Sequence, residues 1–198
     1  MPQVFLPLPN NRLMKAAVRL PLWLFRLGLG GWVGRHYLVL SSCGRKPGAV
    51  LHTALEYGRL ADGRIVTAAP FGPHSDWLLN AEVDPQVTIQ TDAGREYRRL
   101  RRLIDPGERA QAWAALADNP FLLTALRLVG FHPASLPGDD LPLVVLELPP
   151  TAETLANEPP PPLTADLRPL WGPLLLGSLV GAAIFLRGRQ ILRRALER

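Results

Sequence analysis

The chain has 198 residues, with 22 Lys plus Arg against 17 Asp plus Glu, a formal charge of +5 and 47% hydrophobic residues. That length holds one domain with an appendage and excludes two large ones, and the composition excludes a disordered chain. Five arginines and Glu197 put a net +4 on residues 187–198, which leaves +1 for the first 186 residues, too even a balance for the basic face of a nucleic-acid binder.

Along residues 11–27, apolar side chains surround a sparse stripe of Arg12, Lys15, Arg19 and Arg26 at helical spacing, which predicts an amphipathic helix bent at Pro21. Two placements are open to it: packed on the body of the domain, or lying in a membrane interface with its cations at the headgroups. Gly28, Gly30, Gly31 and Gly34 then read as a turn. They are not a dinucleotide loop, because Val33 stands where that fingerprint needs its last glycine and no strand precedes them.

Residues 37–42, 50–57 and 64–69 read as strands, the last two joined by a hairpin at Asp62-Gly63. A short helix is predicted over 75–83, closed by Pro85. Strands 87–91 and 96–104 form a second hairpin around Asp92-Ala93-Gly94, and Arg98, Arg99, Arg101 and Arg102 mark the latter as a solvated edge strand. Prolines at the N-termini of 106–116 and 120–129 predict two more helices, and 143–148 is a fully apolar strand suited to the centre of a sheet. Hairpins with helices between them predict an α+β domain over 1–148 built on an antiparallel barrel.

Beyond it, 149–168 is a proline-rich linker with the extended run Pro159 to Pro162. Residues 169–186 carry no charge over 18 positions, about 27 Å of helix, which just matches a bilayer core and predicts a transmembrane helix. Gly177 and Gly181 in it form a GxxxG pair that would admit a membrane-helix partner or a second copy of the chain. Residues 187–198 form a basic tail placed to meet lipid headgroups. The N-terminus lacks the uninterrupted apolar run of a signal peptide. The expected location is the cell membrane, with the domain on the cytoplasmic side.

Chemistry is sparse. Cys43 is the only cysteine, and His36, His52, His74 and His132 lack the spacing of a helix-borne metal site, so no metal is expected. The consecutive His74, Ser75 and Asp76 cannot relay a proton as a triad, and Asp139-Asp140 sit in a Pro/Gly loop. Catalytic residues are therefore left unassigned. The informative segment is Ser41-Ser42-Cys43-Gly44-Arg45-Lys46-Pro47-Gly48, where two cations between glycines suit a phosphate or carboxylate, or make an ordinary hairpin turn with exposed cations.

That segment, the strand to Glu56-Tyr57, the Asp62-Gly63 hairpin, Ala68-Ala69-Pro70-Phe71-Gly72, Asp76-Trp77-Leu78-Leu79-Asn80 and Asp84-Pro85 together resemble the deazaflavin-dependent nitroreductase family over residues 10–148. The resemblance implies a split β-barrel of the FMN-binding-like type with flanking helices. It implies hydride transfer from a reduced deazaflavin, coenzyme F-420, to quinone-like or nitro acceptors, FMN being a less favoured cofactor. Carried over by position, Arg45, Lys46 and Gly48 would grip the coenzyme's phosphate and acidic tail. Thr53 and Ala54 would lie beside the ring, Ala68, Ala69, Pro70, Phe71 and Gly72 would face it, and Trp77 and Asn80 would close the site. Pro47 and Pro70 stand where the family commonly has Ser, and Glu56 stands where an aromatic residue is frequent. The protein would provide orientation and exclude water, so the absence of a nucleophile is no obstacle. A membrane anchor suits a lipid-soluble quinone. The competing reading, favoured by the three departures, is a cofactor-free split-barrel accessory subunit of a membrane complex.

Overall fold

The structure is a computed structural model that describes residues 12–46, 48–120, 141–149, 159–167 and 178. Pro47, the predicted helix 120–129 beyond its first residue, most of the predicted transmembrane helix with Gly177 and Gly181, and the basic tail lie outside the described residues. The chain divides into two units, 1–164 and 165–198. No helix among the described residues is long and apolar enough to cross a membrane.

The first unit is a closed barrel of six strands. These are β1 (Tyr37–Cys43), β2 (Val50–Arg59), β3 (Ile65–Ala68), β4 (Gln86–Thr91), β5 (Gly94–Arg102) and β6 (Leu143–Glu147). Every neighbouring pair is antiparallel, in the order β1-β2-β3-β6-β5-β4. The turns carry the chemistry that hairpins need, with Gly63 at φ 83° and Gly94 at φ 122°. Alternation does the rest: Leu38, Leu40, Leu55, Ile65, Val87, Ile89, Leu100, Val144 and Leu146 fill the interior.

Among the described residues four helices cover the barrel: α1 (Arg12–Arg26), α2 (Gly30–Val33), α3 (Asp76–Val83) and α4 (Pro106–Ala117). Trp77, Leu78 and Ala81 of α3 join the interior cluster. α4 starts as its sequence predicts, with Pro106 in the first turn and the Asp105 carboxylate accepting the Glu108 N–H at 2.9 Å. Its Ala112, Trp113 and Leu116 pack on Val66 and Ala68 of β3 and Val145 of β6. Gly58 lets α4 come this close, since a Cβ there would run into the backbone of Ala115 and Leu116. α1 lies on the body of the domain, burying Phe25 against Val33, Val39 and Leu163, while Leu20 and Trp23 stay exposed.

Three expectations are corrected. β5 is not an edge strand, because β6 pairs along its other side and closes the barrel. Arg98 is buried and paired with Glu96, and Arg101 bridges Glu108 and Glu147 at 2.9 Å each. Those arginines therefore serve ion pairs rather than edge protection. The glycine cluster is more than a turn: Gly30–Val33 makes one helical turn, and Gly34 sits against the β4–β5 turn. Residues 159–163 of the predicted linker are held on the barrel, with Pro160 and Leu163 buried. The Pro160 carbonyl accepts from the Thr88 hydroxyl, and the Gln90 side chain accepts from the Leu163 N–H at 2.7 Å and donates to its carbonyl at 3.1 Å.

Candidate active site

A cavity of about 560 Å³ opens between α1, the outer face of β2 and the segment that follows β3. α1 contributes Ala17, Val18 and Pro21, spaced to share one helical face. β2 contributes Thr53, Ala54, Leu55 and Glu56, and β1 contributes Tyr37. The remaining wall is Pro70 and Phe71, then His74 to Trp77 at the start of α3. The Ser75 hydroxyl turns back to the Gly72 carbonyl at 2.8 Å, and with Gly72 at φ 86° this folds the segment so that Phe71 and Trp77 meet the same space.

A cationic corner adjoins it. Arg45, on the β1–β2 turn, places its guanidinium 2.6 Å from the Asp76 carboxylate and donates from Nε to Asn80 Oδ1 at 3.1 Å. Asp76 itself lines the cavity, so the turn and the cavity share a wall. Asn80 is 1% exposed and its Nδ2 has no hydrogen-bond partner, leaving a buried donor beside the cation. Lys46 is exposed on the same turn.

The one acidic group on the strands that face the cavity is Glu56, directly across from Tyr37 in the β1–β2 register. Burial pushes the Glu56 carboxyl above the usual carboxylate range, against smaller opposing effects from its own backbone N–H and from the Tyr37 hydroxyl. Burial and the Glu56 carboxylate both hold the Tyr37 phenol well above its ordinary value. A second, smaller concavity of about 220 Å³ lies beside α1, lined by Arg19, Leu22, Trp23, Arg26 and His52. His52 shares a 2.8 Å hydrogen bond with Ser41, and burial, then Arg26, lower its pKa.

Of the site residues expected from sequence, Thr53, Ala54, Pro70, Phe71 and Trp77 meet around the large cavity, and Arg45 and Asn80 meet each other beside it. Ala68 packs against α4, and Ala69 faces the barrel interior, so neither lines the cavity. Gly48, at φ 75° on the turn, and Gly72 support it without lining it. Sequence reasoning missed Tyr37, His74 and the α1 face. Tyr37 was within reach of a register argument, since the pairing of Cys43 with Val50 across the turn carries Tyr37 opposite Glu56. Among the described residues no cluster of His, Cys, Asp or Glu could hold a metal.

These residues fit a planar, anionic cofactor. The volume lies in the usual range for ligand sites, aromatic and apolar walls face a ring, and two cations with an unpartnered buried amide stand where an acidic tail could rest. The contrary feature is that Asp76 already neutralises Arg45.

No curated protein matches the chain. Among solved structures, it is similar to one described as an F420-H2 dependent reductase, at 22% identity over 57% of this chain and 95% of the other, with a TM-score of 0.42. It is also similar to one described as a domain-swapped dimer, at 21% identity over 57% and 81% with a TM-score of 0.43. A protein of unknown function from Agrobacterium tumefaciens is 20% identical over 75% and 57%, with a TM-score of 0.44. Residues 27–121 match the model of the family described as F420H(2)-dependent quinone reductase, and the span runs from the end of α1 through α4, taking in five of the six strands, the Arg45 turn and both Trp77 and Asn80. Over residues 27–121 the chain is thus similar to the F420H(2)-dependent quinone reductase family.

Proposed function

We propose that this chain is an oxidoreductase that moves a hydride from a reduced deazaflavin to a quinone-like acceptor. The observation that carries the reading is the continuity of the apolar cavity with the Arg45 corner through Asp76, which gives a ring and an acidic tail adjoining places on one wall. Trp77 and Phe71 would bracket the ring, Thr53 and Ala54 would set its depth against β2, and Arg45 and Lys46 would hold the phosphate. The Asn80 Nδ2 donor would gain a partner on the same end. When bound, the deazaflavin supplies the hydride and accepts the electron deficit. The chain's part would be to orient, to exclude water and to manage protons, with Val18 and Pro21 of α1 along one side of the cavity.

Membrane anchoring through 169–186 with a cytoplasm-facing domain belongs to this proposal on sequence grounds, the uncharged 18-residue stretch between a proline spacer and arginines. Alkaline extraction of membranes, with protease protection of a tagged C-terminus, tests it: release of the chain into the soluble fraction refutes the anchor. The alternative of a cofactor-free accessory subunit draws on the Arg45–Asp76 pair, which leaves the cation already neutralised. Fluorescence titration of the purified protein with oxidised deazaflavin and with FMN separates the two. Saturable deazaflavin binding supports the enzyme, and no binding of either refutes it.

A further inference from the structure

We infer that Glu56, which stands opposite Tyr37 in the β1–β2 register and lines the cavity, is its proton donor: it protonates the acceptor's oxygen as the hydride arrives. The inference rests on the hydride-transfer reading above.

The geometry leads there without assuming a catalytic residue. Glu56 stands on the outer face of β2, where its neighbours around the cavity are carbon-rich: Ala17, Val18, Pro21, Pro70 and Phe71. The groups that can titrate near it are Tyr37 from β1 and His74 and Asp76 from the segment entering α3, whereas α1 offers no charge to that wall. Among the described residues no Lys or Arg forms an ion pair with it. A carboxylate taken from water without a cation is costly, and it relieves the cost by keeping its proton. Burial is the largest influence on Glu56 and acts in that direction. The Tyr37 hydroxyl, which acts to lower the Glu56 pKa, would then stabilise the carboxylate as the proton leaves.

The step balances. The reduced deazaflavin, when bound, would supply one proton and two electrons together as a hydride, which bonds to the quinone. The Glu56 O–H bond breaks and its proton goes to the quinone oxygen, producing a hydroquinone. On oxidation the bound deazaflavin would also lose a proton to solvent, and the Glu56 carboxylate would take one back from water at the cavity mouth.

The first test needs no ligand. Difference infrared spectroscopy of the full chain between acid and neutral pH should show a protonated-carboxyl carbonyl band that persists above the ordinary Glu range and disappears in Glu56→Gln. In Tyr37→Phe the same band should titrate at higher pH, since an influence that lowers the Glu56 pKa is removed. The second test compares two acceptors in single turnovers with deazaflavin-loaded protein. Glu56→Gln should slow reduction of a quinone by about 100-fold or more. It should leave reduction of N-methylacridinium, which takes hydride and no proton, within a factor of two of wild type, with deazaflavin affinity retained. Loss of both reactions to the same extent, no loss of either, or absence of the infrared band in wild type overturns the proposal. A wild-type chain that keeps the band but binds no deazaflavin removes the reaction and the donor role with it, and that outcome is the failure of the underlying reading rather than of Glu56 as an acid.

Discussion

Asp76→Asn should strengthen the binding of a phosphate-bearing coenzyme. In the free protein the Asp76 carboxylate lies 2.6 Å from the Arg45 guanidinium, so an incoming phosphate has to displace it. The side chains are 48% and 81% exposed, which puts the pair in a largely aqueous dielectric, where contact between unit charges is worth about 1 kcal/mol and exposed pairs are measured at roughly 0.2–1 kcal/mol. Removing the competitor therefore raises affinity by at most about 5-fold. Salt screens such a pair over about 8 Å at physiological ionic strength, so the gain should shrink as salt is added. Arg45→Ala is the opposing control. It deletes a charge-assisted hydrogen bond worth about 1.5–3 kcal/mol and should weaken binding roughly 10- to 150-fold. Fluorescence titration with oxidised deazaflavin at low and high salt reads all three proteins. Weaker binding by Asp76→Asn, or a gain that grows with salt, would mean that Asp76 positions Arg45 and does not compete for it, and the reasoning would be wrong.

Three further outcomes concern the scaffold. Asp105→Ala removes the carboxylate that accepts the Glu108 N–H and should cost about 1 kcal/mol, a fall of about 2–4 °C in a thermal melt. Gly58→Ala forces a methyl into the backbone of α4 and should cost about 1–3 kcal/mol in urea unfolding, with an unchanged m-value. Glu108 is held below its ordinary value of 4.5, first by its hydrogen bond to Arg101, so its contribution is present above that pH and fades as pH falls through the lowered value. Stability of wild type should therefore exceed that of Glu108→Gln at pH 7 by up to about 1 kcal/mol, with the gap closing under acid; a gap that persists in acid would exclude the ion pair as its source.

The hairpins were legible because each turn declares itself. Asp62-Gly63 and Asp92-Ala93-Gly94 place glycine where φ is positive, and the apolar alternation on either side fixes which face turns inward. Closure was not legible. It depends on β6 inserting between β3 and β5, a pairing of Ile65 with Leu146 and Leu100 with the same residue, across long stretches of chain that carry no local signal. The arginines of β5 were misleading for that reason: alternating charge protects an edge and equally supplies Arg101 with Glu108 and Glu147. At the site, the Arg45 turn and the Trp77–Asn80 pattern were visible as motifs, and five of the expected residues do meet around one cavity. That Arg45 would contact Asn80, 35 positions away, was beyond any spacing argument. The α1 wall was hidden by its own ambiguity, since a helix with Leu20 and Trp23 facing outward has the same periodicity whether its other face meets a barrel or lipid.

The attachment of residues 159–163 to β4 turns a leash into a pivot. With Gln90 fastened to both backbone polar groups of Leu163, the chain leaves the barrel at Thr164, on the wall of β4, and not at the end of β6. Of the 20 residues that the sequence sets aside as a spacer, only 164–168 remain beyond the fastening, and five residues reach at most about 18 Å when fully extended.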